Sequence, residues 1–241
     1  AAQKPATAPQ WTLLEAWMLL AVLVAAFAAK DALMGSAAVR GLSSDGQVFA
    51  RVGVLFGFYG VQAAVLWGLA WRRGVNPLDA YRLRADGVTW SARLNSAALV
   101  VGLLVIVRVG AWAYGAFAQE IGWQPPVPEV AELTEIFGPT VWGLLLSIAL
   151  VVIVAPVVEE VVFRGVLQGA FAAEWDWRFA VGLSSALFAL YHMTPWLFVP
   201  LFALGVACGY LAHTRRSLLP AISLHGAYNA LPVAIAFYLV W

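Results

Sequence analysis

The chain has 241 residues, of which 63% are apolar and 11% charged, with a formal net charge of +1. Soluble domains are about 45–50% apolar and ~25% charged, so a water-soluble globule of this composition would expose far too much hydrocarbon. The 13 Phe, 12 Trp and 7 Tyr exclude a disordered or fibrous chain, and the near-zero net charge offers no basic field for nucleic acid. The expected fold class is all-α, a polytopic transmembrane helix bundle whose partner is the lipid bilayer.

A bilayer core of about 30 Å takes roughly 20 apolar residues per helix, because backbone amides in lipid must pair within the helix. In chain order seven stretches qualify or come close, at 12–29, 48–71, 95–118, 140–171, 178–192, 195–212 and 218–241. The first is read as a retained span, since no small-residue cleavage site follows it. The whole of 1–241 reads as one integral membrane domain. Lys and Arg set its orientation. With the N-terminus in the cytoplasm, that side holds nine (Lys4, Arg72, Arg73, Arg82, Arg84, Arg93, Arg178, Arg215, Arg216) and the other side two, Lys30 and Arg40. The expectation is an integral protein of the cell membrane with its N-terminus cytoplasmic and its C-terminus opposite. Trp71, Trp90, Trp123, Trp175, Trp177 and Trp196 flank spans as an interfacial belt would. The outer loop 119–139 carries Pro125, Pro126 and Pro128, then a segment whose Val130, Leu133 and Phe137 share a helical face, with Glu129, Glu132 and Glu135 largely away from it. It predicts a short amphipathic helix on the membrane surface.

Ionisable groups within spans are costly and ask for a reason. Glu15 and Arg51 lie near span ends, where snorkelling is the expectation. Arg108 is deeper and calls for an ion pair or a cavity. Cys208 falls in an apolar run and reads as a small buried side chain. The fourth span is different: it runs VVIVAPVVEEVVFRGVLQG, with Glu159, Glu160 and Arg164 between apolar runs. Residues four apart share a helical face and neighbours lie about 100° apart, so Arg164 stacks on Glu160. That leaves Glu159 as the free carboxylate, with Pro156 able to kink the helix and admit water.

Of the three histidines, His213 sits beside Arg215 and Arg216 in a turn and reads as solvated. His192 ends FALYH, one turn after Phe188; His225 opens HGAYN, one turn before Asn229, so both side chains project from one face. Glu159, His192, His225 and Asn229 are four polar groups spread over three spans, and buried polar groups find their cheapest partners in one another. They include no serine or cysteine nucleophile, so an activated water is the natural attacking species, with donors left for an oxyanion.

EEVVFR has the form EExxxR, FALYH the form FxxxH, and HGAYN the form HxxxN, in that order and each in or beside a span. The chain thereby resembles the CPBP (CaaX-protease/bacteriocin-processing, Abi) intramembrane proteases, the group that includes the type II CaaX-prenyl endopeptidases. The resemblance covers residues 140–235, a four-helix catalytic core, and leaves 12–118 as three peripheral spans. It implies an intramembrane endopeptidase with its site open to the cytoplasm and a peptide or membrane-protein substrate. Glu159 would then be the general base for water, His192 would help hold that water and move its proton, and His225 and Asn229 would stabilise the oxyanion. Glu160, Arg164 and Phe188 would be supporting residues. No cofactor is the expectation; zinc held by Glu159, His192 and His225 is the alternative, though no HExxH is present. The rival to an enzyme is a non-catalytic membrane subunit or chaperone that keeps this fold and binds a partner protein or complex.

Overall fold

The structure, a computed structural model, describes residues 10–84, 88–123 and 129–239. Lys4, Pro125, Pro126, Pro128 and Trp241, and the side chains of Glu129 and Val130, lie outside the described residues. The described residues form α-helices: α1 (Leu13–Met34), α2 (Ala37–Arg40), α3 (Ser44–Arg72), α4 (Pro77–Ala80), α5 (Trp90–Glu120), α6 (Glu129–Phe137), α7 (Val141–Glu174), α8 (Trp177–Tyr191), α9 (Phe198–Arg215) and α10 (Leu219–Tyr238). A short 3-10 turn, Pro195–Leu197, leads into α9.

Among the described residues five stretches are long and apolar enough to cross a membrane, namely Leu13–Arg40, Ser44–Arg72, Trp90–Glu120, Val141–Glu174 and Pro195–Arg215. The expectation of seven is corrected to five on that criterion. α8 has 15 residues, about 22 Å of helix, which is short of a hydrocarbon core. α10 has 20 residues, but His225, Tyr228 and Asn229 dilute its hydropathy. The two helices that fall short thus include two of the motifs, because polar chemistry lowers the signal by which spans are found.

α7 is the central rod. Val162, Phe163, Val166, Leu167 and Phe171 are buried along it, with α8, α9 and α10 packed around it. α5 is peripheral: Val107 and Ala118 are its buried residues, while Val101, Val105, Ile106, Val109 and Trp112 are exposed as a lipid-facing surface would be. Arg108 faces inward from α5, its guanidinium 3.8 Å from the centroid of the Tyr228 ring.

One end of the bundle is tied by polar contacts. Thr12 and Glu15 form a reciprocal capping box at the start of α1. Glu15 also accepts from Arg72 Nη2 at 3.1 Å and from Arg73 Nε at 3.1 Å and Nη2, at the end of α3. It is 6% exposed, so snorkelling is corrected to a buried carboxylate held by two arginines, with each charge at the favourable end of its helix dipole. Trp11 stacks on Tyr81 at 5.5 Å, Leu218 N donates to Arg82 O at 3.2 Å, and Trp177 stacks on His213 at 4.3 Å. The loops that the sequence assigns to one side of the membrane therefore share one end. At the other end Arg51 reaches Glu135 of α6 at 3.0 Å. There α6 is packed on α3 and α10, with Phe137 buried and Leu133 and Ile136 against Val52, Leu150, Val233 and Phe237. The surface helix of the sequence reading is amphipathic as expected, but its apolar face meets protein.

Replacing Glu15 by Ala leaves two arginines facing each other at a packed junction. Thermal unfolding in detergent is expected to show a loss on the order of 1–2 kcal/mol, reduced by the exposure of Arg72. An unchanged midpoint would mean that this junction does not hold α1 to α3.

Candidate active site

The site begins with the backbone of α7. It is α-helical at Val141–Ser147, π-helical at Ile148–Val154, α-helical at Ala155–Glu160, π-helical at Val161–Leu167 and α-helical again at Gln168–Glu174. In the first π stretch each N–H reaches five residues back, and Ala155 N–H bonds Leu150 O. The next N–H in that register would serve Val151 O, but residue 156 is proline and has none. Asn229 Nδ2 donates to Val151 O at 3.0 Å instead. Pro156 has a specific effect beside the kink expected of it: the proline frees a carbonyl that orients Asn229. α10 lies close enough to α7 for this because residue 226 is glycine; a Cβ there would meet Val152 O at 2.7 Å.

All four residues singled out from the sequence line one cavity of about 290 Å³, together with Tyr59 and the Glu132, Leu133 and Ile136 wall of α6. Glu159 is buried at its centre, with Oε2 at 3.8 Å from His192 Nε2 and 3.8 Å from His225 Nε2. The free carboxylate expected of Glu159 is corrected: the Tyr59 hydroxyl donates to Glu159 Oε1 at 2.8 Å. Tyr59 comes from α3, a span that carries none of the three motifs. The available signal is a pair of polar groups three apart, since Gln62 on the next turn is also buried and its amide donates to the Tyr191 hydroxyl at 3.3 Å.

The outer ring nitrogens set the tautomers. His192 Nδ1 lies 2.8 Å from Phe188 O, and a carbonyl only accepts, so Nδ1 carries the proton. His225 Nδ1 lies 2.9 Å from Glu160 Oε1, which also accepts from Arg164 Nη1 at 3.0 Å. Nδ1 of His225 is thus a donor as well. In the neutral form of either ring, Nε2 is then the bare nitrogen, and it faces the Glu159 oxygen. At 3.8 Å neither contact is a hydrogen bond; the gap suits a water that donates to the carboxylate and an imidazole. Glu160 and Arg164 are paired as their spacing predicts and are fully enclosed. Their role is wider than a structural pair, because Glu160 also holds His225. Phe188 separates the components: its ring is edge-on to His192 at 4.7 Å and to His225 at 5.4 Å, with the Arg164 guanidinium 4.5 Å from its centroid.

For zinc, ligand distances of about 2.0–2.1 Å place tetrahedral ligands about 3.3 Å apart. The separations from Glu159 Oε2 to the two Nε2 atoms are wider, at 3.8 Å. Among the described residues no three His, Cys, Asp or Glu side chains are gathered as a metal ion requires. His213 is exposed on its Trp177 stack, and Cys208 is buried on α9 with its thiol on Ala221 O at 3.6 Å. Neither belongs to the cavity.

Substituting Gly226 by Ala is expected to push α10 away from Val152 and carry His225 and Asn229 with it. The expected result is a protein that still purifies folded but melts lower, by roughly 1–3 kcal/mol. Wild-type stability in that variant would show that the two helices are not in contact there.

Residues 141–231 match the family model described as "Type II CAAX prenyl endopeptidase Rce1-like". The matched stretch contains all three motifs and every supporting residue named from them. An Escherichia coli protein named only "Uncharacterized 24.3 kDa protein" is 27% identical over 128 residues, which is 52% of this chain and 52% of that protein. The chain thus aligns with about half the length of that relative. No solved structure matches the chain. The matching family is of the kind that the EExxxR, FxxxH and HxxxN motifs indicate, so within residues 141–231 this membrane-embedded helical protein is similar to the type II CAAX prenyl endopeptidases.

Proposed function

We propose that the chain is an intramembrane endopeptidase that hydrolyses a peptide bond with water activated by Glu159. The observation that carries this reading is the placement of one buried carboxylate oxygen 3.8 Å from two imidazole nitrogens, inside a cavity of about 290 Å³. Water in that gap donates one proton to Glu159 Oε2 as its oxygen adds to the scissile carbonyl carbon. The proton passes from Glu159, by way of His192 Nε2, to the departing amine. The tetrahedral oxygen takes the second amide hydrogen of Asn229 Nδ2, whose first is bound to Val151 O. His225 donates to the same oxygen when its ring also carries a proton on Nε2, with Nδ1 held by Glu160. Tyr59 acts on the other carboxylate oxygen, holding Glu159 so that Oε2 is the one turned to water. The proposed reaction needs no metal. The substrate class is a peptide or a membrane-protein segment.

The proposed orientation follows the arginine bias, with the end bearing Arg72, Arg73, Arg82, Arg178, Arg215 and Arg216 in the cytoplasm. The cavity wall supplied by α6 then lies toward the opposite face, which speaks against the cytoplasmic mouth expected from the family resemblance. A cysteine replacing Glu132, an exposed residue of that wall, is expected to react with a membrane-impermeant maleimide on intact cells. Reaction only after permeabilisation would return the mouth to the cytoplasm.

With a labelled peptide library and purified protein in detergent, Glu159→Gln is expected to lower cleavage by at least about 10²-fold at unchanged folding. Tyr59→Phe is expected to lower turnover roughly fivefold, the worth of one buried hydrogen bond, and a chelator to have no effect. Equal cleavage by wild type and Glu159→Gln would remove the assigned base. Loss with the chelator alone would install a metal in its place.

A further inference from the structure

At the arginine-rich end, away from the catalytic cavity, a second recess of about 290 Å³ is lined by Arg82, Arg164, Gln168, His213 and Arg216, with Gly169 and Ala172 completing it. It lies between the α4 loop, the last part of α7 and the α9–α10 turn. No lining residue is acidic, and neither Arg82 nor Arg216 pairs with a carboxylate among the described residues. Burial without such a partner holds the Arg82 guanidinium below its ordinary pKa. Arg164 forms the deep wall, fully enclosed, with Nε and Nη2 lacking hydrogen-bond partners, and Gln168 Oε1 is likewise unpartnered. Arg164 has its counter-charge in Glu160, but Arg82 and Arg216 have none among the described residues, and two such guanidiniums beside one recess favour the entry of an anion.

Two of these arginines sit where the backbone disfavours them. Arg82 has φ 53° and Arg216 φ 52°, both in the left-handed region, where the Cβ of an L-residue crowds the neighbouring carbonyl oxygen. Asn at either position would adopt the same backbone with less strain. The recess is also placed at the level of span ends, beside the α7–α8 turn that holds Trp175 and Trp177.

We infer that this recess is a binding site for the phosphate group of an anionic phospholipid, with Arg82 and Arg216 closing on the phosphate from two loops. A headgroup at this depth can keep its acyl chains in the bilayer while its phosphate meets the guanidinium forks. The inference does not rest on the proposed proteolysis, and its test needs no substrate.

The full chain in neutral detergent is titrated with short-chain phosphatidylglycerol, with short-chain phosphatidylcholine, and with inorganic phosphate, and binding is read by native mass spectrometry. Phosphatidylglycerol is expected to bind more tightly than the other two. The Arg82→Asn, Arg216→Asn double variant is expected to bind it about a hundredfold more weakly, about tenfold for each charge-assisted hydrogen-bonding arginine removed, while melting no lower than wild type in the absence of lipid. Arg216→Gly alone, which relieves the backbone, is expected to bind tenfold more weakly and serves if the double variant does not fold. Equal affinity of wild type and variants for phosphatidylglycerol would overturn the site. Inorganic phosphate binding as tightly as the lipid would overturn the lipid as its occupant.

Discussion

One oxygen atom organises the interior. Glu160 Oε1 accepts from Arg164 on its own helix and from His225 on α10, and all three side chains are almost wholly withdrawn from solvent. A charge in such surroundings is tolerable only when its partners are held in good geometry. That requirement couples the two halves of the site: the pair that neutralises α7 also fixes the ring plane and tautomer of His225. The neighbouring Glu159 is thereby left for a different task, facing two Nε2 atoms that carry no proton of their own in the neutral rings. The adjacent glutamates differ in role because one has a permanent cation and the other a cavity.

The backbone of α7 prepares the second constraint. A π-helical stretch shifts the hydrogen-bond register by one residue, and Pro156 cannot fill the position that the shift assigns to it. The carbonyl released this way is met by Asn229, and Gly226 lets the two helices approach closely enough for that bond. Proline, glycine and asparagine on two different helices therefore form one device. It sets the height of α10 against α7, and with it the height of His225 relative to Glu159. Unpaired backbone carbonyls are costly in an apolar interior, which is why this bond is a firm reference point for the site.

What could be read from the sequence follows from the range of each signal. Composition gives the helical membrane class because it sums over the whole chain. The Glu160–Arg164 pair and the shared face of His225 and Asn229 are legible because four-residue spacing is a local property of a helix. Tyr59, the Glu160–His225 bond and the inward packing of α6 depend on which helices lie side by side, and no spacing within one span encodes that. The sequence reading counts seven spans where length and hydropathy give five, because α8 is short and the polar residues of the site dilute the hydropathy of α10. Glu15 reads wrongly because proximity to a span end resembles snorkelling until Arg72 and Arg73 are seen to close on it.

The hydroxyl on Glu159 also bears on why the chain has helices outside the matched core. The family match spans residues 141–231, whereas Tyr59 lies on α3. Around Tyr59 a cluster of rings fixes α3 to the core: Phe58 stacks on Tyr191 and meets Phe27 of α1 edge-on, while Tyr191 packs against Phe163. Tyr191 is the residue before His192, so the same rings that seat α3 also seat the end of α8. Without them Glu159 Oε1 would lose its donor and the carboxylate could turn either oxygen toward the imidazoles. A core that gathers a carboxylate, two imidazoles and an amide still needs an element to choose the carboxylate's orientation, and in this chain that element comes from a span with no motif of its own.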